Sequence, residues 1–443
     1  MRLLIIDAGG HALDVALRAK EEGHEVRLFI RGTDRLSHIG RNLVDRVPAF
    51  EPHLQWADLI FLSDNTFYLT QLDQFHAANP KARIVGPSVA AAAWEIDRSV
   101  GMSALKRVGI QVPESQEFSD YDKAIAYVKK EDRRFVSKAS GDSPDKALSY
   151  VSKSAVDLVY MLERWKRLSK HKSPFFLQEF VDGIEMAVGG WFGPGGFNAG
   201  WCENWEFKKL MNDDLGVATG EQGTVLRYVR QSKLARKMLV PLEAELEKLN
   251  YCGYIDVNCI IDEKGQAWPL EFTMRPGWPT YQIMQPLHEG SVEWLLDLAE
   301  GRDAKAVAYN LVSTGVVMSI PDYPYSHLTK KEIVGIPIYG IKPALRKHIH
   351  PCEMMLAKNV PQEDQGKIVN ADHLVTAGDY VLVMTAVAET VKDSALTAYR
   401  RLDRLTVPNS PMYRTDIGKR LAKQLPKLQA MGYATEMIYS PAT

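Results

Sequence analysis

The sequence is poor in cysteine, with four in 443 residues. That is too few for a disulfide framework in so long a chain, so a reducing, cytoplasmic setting is expected. An excess of charge of one sign is also missing. Fifty-four Lys and Arg face 55 Asp and Glu, a formal net charge of −1. Bulk electrostatic attraction to nucleic acid or to a membrane is therefore not expected, although a local basic patch would still be compatible with this balance. The opening apolar run ends at Asp7, too soon for the core of a secretory signal. No run approaches the roughly 18 apolar residues of a membrane span, and the stretch from Tyr380 to Ala388 reads as a buried strand. Internal repeats and low-complexity tracts are absent as well. What is present is an ordinary globular balance, 46% hydrophobic and 25% charged. At about 100–200 residues per domain, the length suggests two to four domains.

The order of patterns along the chain sets the architecture. An apolar strand at 3–7 is followed by Gly9-Gly10, a helical pattern over Ala12, Val15, Ala16 and Leu17, and strands at 25–30 and 59–62. Strand, glycine turn, helix, strand begins a doubly wound parallel sheet. Gly86-Pro87 marks a boundary, and 88–108 reads as helical. Further strands are expected at 135–138, 175–180, 255–261 and 268–272, with helices over 156–170 and 292–300. The cations Arg164, Lys166, Arg167 and Lys170 lie on the polar side of the first of these helices and read as a solvated face. The polar segment 301–305 reads as a linker. Beyond it, 315–320, 333–339, 347–350 and 380–386 are strand-like, and 393–405 is helical. The fold class is therefore α/β.

Three fragments carry chemistry. Lys138 falls late in a strand, before a loop from Ser140 to Lys146. The segment 177–185 runs from a strand through a turn to Glu185. Glu271 ends a strand, with Thr273 and Arg275 just beyond it. Such lysines neutralise phosphate charge, edge-strand backbone groups read a purine, and carboxylates receive ribose hydroxyls or Mg²⁺. Gly9-Gly10 offers a turn whose free N–H groups suit an anion, or simply a tight strand-to-helix connection.

In this order the fragments resemble the ATP-grasp ligases, and in particular the phosphoribosylamine–glycine ligase family. Val85-Gly86-Pro87-Ser88 resembles the family's Phe-Gly-Pro-Thr, and Lys138 to Lys146 its phosphate loop. Gln178 to Glu185 is similar to its Glu-Glu-Phe-Leu-Asp-Gly-Glu-Glu segment. Glu271 to Pro279 resembles its Glu-Phe-Asn-Cys-Arg-Phe-Gly-Asp-Pro. Gly315 to Met318 and Tyr413 to Gly418 look like its Gly-Val-Val-Met and Cys-Arg-Lys-Asp-Ile-Gly.

The resemblance implies an N-terminal doubly wound parallel-sheet domain over 1–86, an ATP-grasp region of two lobes over 87–303, and a small C-terminal α+β domain over 304–443. It implies ATP and Mg²⁺ as cofactors, with Mn²⁺ as a substitute. Arg98, Lys138 and Lys146 would face the phosphates, the backbone of Glu179, Phe180 and Val181 would hold adenine, and Glu185 the ribose. Glu271, Thr273 and Asp256 would bind metal. Arg275 and Glu271 would serve the phosphoryl transfer itself. Gly9, Gly10, Asp64, Asn65, Lys208, Thr219, Gly220 and Arg275 would contact the other substrates. Those are glycine and an amine such as phosphoribosylamine, joined through an acyl phosphate in purine biosynthesis by a monomer or homodimer.

The departures concentrate in the amine-acceptor half. Thr273 stands where the family has a metal-binding Asn, His11 where it has an Arg, and Glu221 where it has a glycine. A carboxylate repels a phosphate dianion but suits an amine or a hydroxyl. Two other readings follow: a ligase with a different amine acceptor, or a non-catalytic ATP-binding protein. His348, His350 and Cys352 alternate along one strand face and could form a zinc edge, but no fourth ligand is near in sequence.

Overall fold

The computed structural model describes residues 1–32, 36–139, 150–168, 174–307, 309–325 and 331–441. Five parallel strands form the first sheet, in the order Arg46–Val47, Glu25–Ile30, Arg2–Asp7, Leu59–Leu62 and Ile84–Val85. Leu3 and Ile5 face one hydrophobic core, Leu4 and Ile6 another. Burial on both faces explains why Arg2–Asp7 and Leu59–Leu62 read as near-continuous apolar runs. The expected helical stretch 88–108 is two helices, Val89–Ile96 and Arg98–Arg107. They break at Asp97, whose carboxylate caps the second by accepting from the N–H groups of Ser99 and Val100.

A small antiparallel sheet follows, ordered Ser115–Phe118, Phe175–Glu179, Phe135–Ala139 and Tyr150–Val151. Helices Tyr121–Glu131 and Ala155–Arg167, capped by Asp120 and Ser154, cover it. Phe118, Phe135, Leu158, Leu162, Trp165 and Phe175 give this unit a core of its own.

The third sheet has nine strands. Its main path runs Ala267–Thr273, Gly253–Ile261, Ile184–Gly193, Trp201–Glu206, Gly223–Val229, Val312–Ser319, Tyr380–Ala388 and Ile349–Pro351. Gly223–Val229 pairs with Val312–Ser319, so one sheet joins the middle of the chain to its last third. The expected strand over 333–339 is instead irregular, with isolated pairings of Pro337 to Val375 and Tyr339 to Thr406. A two-stranded hairpin, Met354–Asp364 with Lys367–Thr376, stands apart and leaves Ile368 exposed. No described helix is long and apolar enough to cross a membrane.

Candidate active site

One face of the nine-stranded sheet gathers the polar residues. Antiparallel register sets Glu271 opposite Asn258 and Thr273 opposite Asp256. On the next strands Ala187 lies opposite both Asn258 and Asn204. Because side chains alternate, Glu185 and Glu206 join the same face. Gly189 lets the strands close: a Cβ there would lie 1.9 Å from the Tyr254 hydroxyl.

Lys208 anchors the cluster. Its ammonium lies 3.0 Å from Glu206, 3.1 Å from Glu271 and 3.4 Å from Glu185. Those carboxylates raise its pKa despite burial. Arg98, at the start of its helix, donates to Glu271 at 3.0 Å and to the Leu270 carbonyl at 2.8 Å. Lys208, then Arg98 and Lys138, hold the Glu271 carboxyl well below the usual range against its own burial. Lys138 reaches this cluster from the small sheet. Burial and the positive Arg98 lower its pKa to about 7, while Glu271 opposes them.

Asp256 accepts from Asn204 at 2.8 Å and from the Tyr254 hydroxyl at 3.1 Å. Burial, helped by Glu206, pushes it up to about 7. Asn258 donates its amide N–H to Glu185 at 3.0 Å and to Glu206 at 3.2 Å, and its buried carbonyl Oδ1 has no partner. Sequence reasoning missed Asn258. Its signal was position: two residues past Asp256 puts it on the same strand face. Among the described residues, no trio of His, Cys, Asp or Glu is assembled to hold a metal. The donors present are of mixed type: Glu271, Asp256, the Thr273 hydroxyl and the orphaned Asn258 carbonyl. Hard oxygens of this kind fit Mg²⁺ or Mn²⁺ whose remaining positions go to phosphate and water.

Arg275 lies 3.2 Å from Glu95, which also accepts the Met274 N–H at 2.7 Å. Burial raises the Glu95 pKa against the pull of Arg275, and the side chain of Asn65 hydrogen-bonds to it. Asp64 accepts the N–H groups of Thr66 and Phe67, so it shapes its own turn. The expected anion site at the glycine turn is altered. The N–H groups of Gly10, His11 and Ala12 all donate to the buried carboxylate of Asp7, at 2.9, 2.9 and 2.7 Å. Asp7 is the last residue of the first strand and satisfies the donors that an external phosphate would use. His11 stacks on Trp278 at 4.1 Å between ring centroids.

In the expected adenine segment, the N–H groups of Glu179 and Phe180 donate to the carbonyls of Glu114 and Arg134. The Arg134 guanidinium lies over the Phe180 ring at 3.4 Å. Lys146 lies outside the described residues.

The Lys208 loop is clamped from the distant C-terminal motif. Arg414, fully buried, pairs with Asp416 and Asp214 at 2.8 Å each and donates to the Lys209 carbonyl at 3.1 Å. Arg420 lies over the Phe207 ring and pairs with Asp214 at 3.1 Å. The Thr219 hydroxyl donates to the Lys208 carbonyl at 2.8 Å, while a Cβ at Gly220 would meet open space. Elsewhere, His350 is an ordinary buried strand residue: its ring nitrogens meet Asp14 and Thr385, each at 2.8 Å.

No protein-family model matches the chain. The phosphoribosylamine–glycine ligase of Salmonella typhimurium is 25% identical over 95% of this chain and 98% of its own length. That of Haemophilus influenzae is 26% identical, covering 96% and 99%. Among solved structures, the phosphoribosylamine–glycine ligase of Thermotoga maritima superposes with a TM-score of 0.69 at 20% identity, covering 94% of this chain and all of that one. Biotin carboxylase of Campylobacter jejuni, solved as a beta-gamma-ATP complex, gives a TM-score of 0.62 at 14% identity, covering 98% of this chain and 97% of that one. In sequence along nearly its whole length the chain resembles the phosphoribosylamine–glycine ligases, and its fold is that of the ATP-grasp ligases.

Proposed function

We propose that the chain is an ATP-dependent carboxylate–amine ligase. It would phosphorylate the carboxylate of glycine with the γ-phosphoryl of ATP and pass the acyl group to an amine, releasing ADP and phosphate. The observation that carries this reading is the charged junction between the two sheets. There Lys138, Arg98 and Lys208 converge on Glu271, with Glu185, Asp256 and Asn258 on the same face.

The chemistry follows from the charges. A carboxylate is a poor acyl donor until one oxygen leaves as phosphate. Lys138 and Arg98 would counter the charge on the transferring phosphoryl group. Glu185 would receive the ribose hydroxyls, and the Val181 backbone would meet adenine, since the N–H groups at 179 and 180 are committed elsewhere. Glu271, Asp256, Thr273 and the free Asn258 carbonyl would hold Mg²⁺, which supplies charge neutralisation between phosphates. Arg275, tethered by Glu95, would orient the substrate carboxylate.

A second reading keeps the chemistry and changes the acceptor. It is favoured by Asp7, which takes the N–H groups a ribose phosphate would need. ADP release tests both. The protein should turn over ATP only with an amino acid and an amine together, and freshly generated phosphoribosylamine should be a poor amine beside a panel of sugar and nucleoside amines. ATP turnover independent of any amino acid would overturn the ligase reading. Efficient use of phosphoribosylamine would overturn the altered acceptor.

A further inference from the structure

The loop ahead of strand Gly223–Val229 carries a buried acid with little to satisfy it. Glu221 is 4% exposed. Its Oε2 accepts from the Thr280 hydroxyl at 3.4 Å, and its Oε1 has no hydrogen-bond partner. The neighbouring charges do not compensate. Glu206 and Asp256 are of the same sign, and Lys208 is divided among three other carboxylates at 3.0–3.4 Å. Burial and Glu206 push the Glu221 carboxyl well up against the pull of Lys208. Uncompensated burial of this kind favours the neutral acid while the site is empty, and an arriving cation would favour the carboxylate.

Two tyrosine hydroxyls lie in the surroundings. Tyr380 is buried nearby with its hydroxyl unpartnered, and Tyr323 receives the Gln222 side-chain N–H at 3.3 Å. The rings of Tyr323, Tyr380, Trp278 and His11 follow one another, with centroids 5.5, 3.8 and 4.1 Å apart.

We propose that Glu221, held by Thr280 on one oxygen, receives through the other the protonated primary amino group of a substrate. This rests on the ligase reading. A ligase of this chemistry handles two amino groups, the α-ammonium of its amino acid and the amine of its acceptor, and the test separates them. Glu221→Gln keeps the size and the Thr280 contact while removing the charge. In protein saturated with Mg²⁺ and a non-hydrolysable ATP analogue, calorimetry with glycine, and with glycolate as the amine-free control, reads the first source. The KM for the amine panel in ADP release reads the second.

Losing a charge-assisted hydrogen bond should weaken one of these by about tenfold to a hundredfold, leaving glycolate and the ATP analogue unaffected. Glu221→Asp, which keeps the charge, should recover part of the loss, and thermal melting verifies that both variants are folded. Loss with glycine assigns the α-ammonium, and loss confined to the panel assigns the acceptor amine. Folded Glu221→Gln protein that matches wild type in both arms overturns the assignment while leaving the ligase reading intact. Wild-type protein that releases ADP with no amino acid and amine overturns both.

Discussion

Glu271 meets Lys208 on one oxygen and Arg98 on the other, so it is ionised at any working pH. Metal binding must compete with those cations, which places the carboxylate's full charge at a premium. Glu271→Gln should therefore lower turnover by on the order of a hundredfold, ~2.7 kcal/mol of lost transition-state stabilisation. Steady-state kinetics on protein shown folded by circular dichroism checks this; near-normal turnover would remove Glu271 from the site. Lys138 offers a pH signature. With a pKa of about 7 it is mostly neutral at pH 8 without nucleotide. Phosphate favours its charged form and raises that value, so binding at pH 8 should take up close to one proton. From pH 7 upward, until the bound-state value is reached, ATP affinity should fall by up to ~tenfold per pH unit. Calorimetry in buffers of different ionisation enthalpy measures the uptake, and Lys138→Ala should abolish it.

At the scale of elements, the loop from Phe207 to Gly223 is held by side chains arriving from the C-terminal motif. Arg414→Ala would strip Asp416 and Asp214 of a buried partner. We expect a loss of about 3–5 kcal/mol and a clear fall in melting temperature, with activity impaired because Lys208 is no longer seated. Arg414→Lys should fall between, since an ammonium cannot make the bidentate contact with Asp416. An unchanged melting curve for Arg414→Ala would show that the clamp adds nothing. How legible these elements are depends on where their polar faces point. The strands at 3–7, 25–30 and 59–62 read directly because both faces are buried in hydrocarbon. Trp201–Glu206 does not read as a strand. Its polar residues Asn204 and Glu206 face the site cleft rather than solvent, which blurs the apolar alternation. Ile184–Gly193 is hidden by its glycines, one of which is required by Tyr254. That Lys138, Glu185 and Glu271 belong to one candidate site was legible in their order along the chain, and they come together around Lys208 and Arg98. Asn258 was not, since the carboxylates its amide meets depend on which strands become neighbours, and the Asp7 contacts were not, since they depend on the path of the turn that follows it.

For the whole molecule, the decisive feature is that the small sheet has its own core and brings Lys138 to a face built by the large one. Nucleotide would then bridge two separately packed units, stabilising the native chain by mass action. At a hundredfold excess over Kd that amounts to ~2.7 kcal/mol. The melting temperature should rise with Mg²⁺ and an ATP analogue, and clearly less with the guanine counterpart, because guanine reverses the donor and acceptor at the base edge that the Val181 backbone would meet. Equal shifts would speak against an adenine-reading segment.

The clamp on the Lys208 loop has a further consequence in time rather than in space. During synthesis the carboxylates at 185, 206, 221, 256 and 271 all leave the ribosome before Arg414 does. Until then the loop lacks the contacts of Arg414 to the Lys209 carbonyl and to Asp214, and Lys208, which pairs with three of those acids, is held less firmly among them. A nascent chain that had not yet reached Arg414 would thus carry all of these acids without the clamp, and under the proposed function it would gain activity only as residues 414–420 dock.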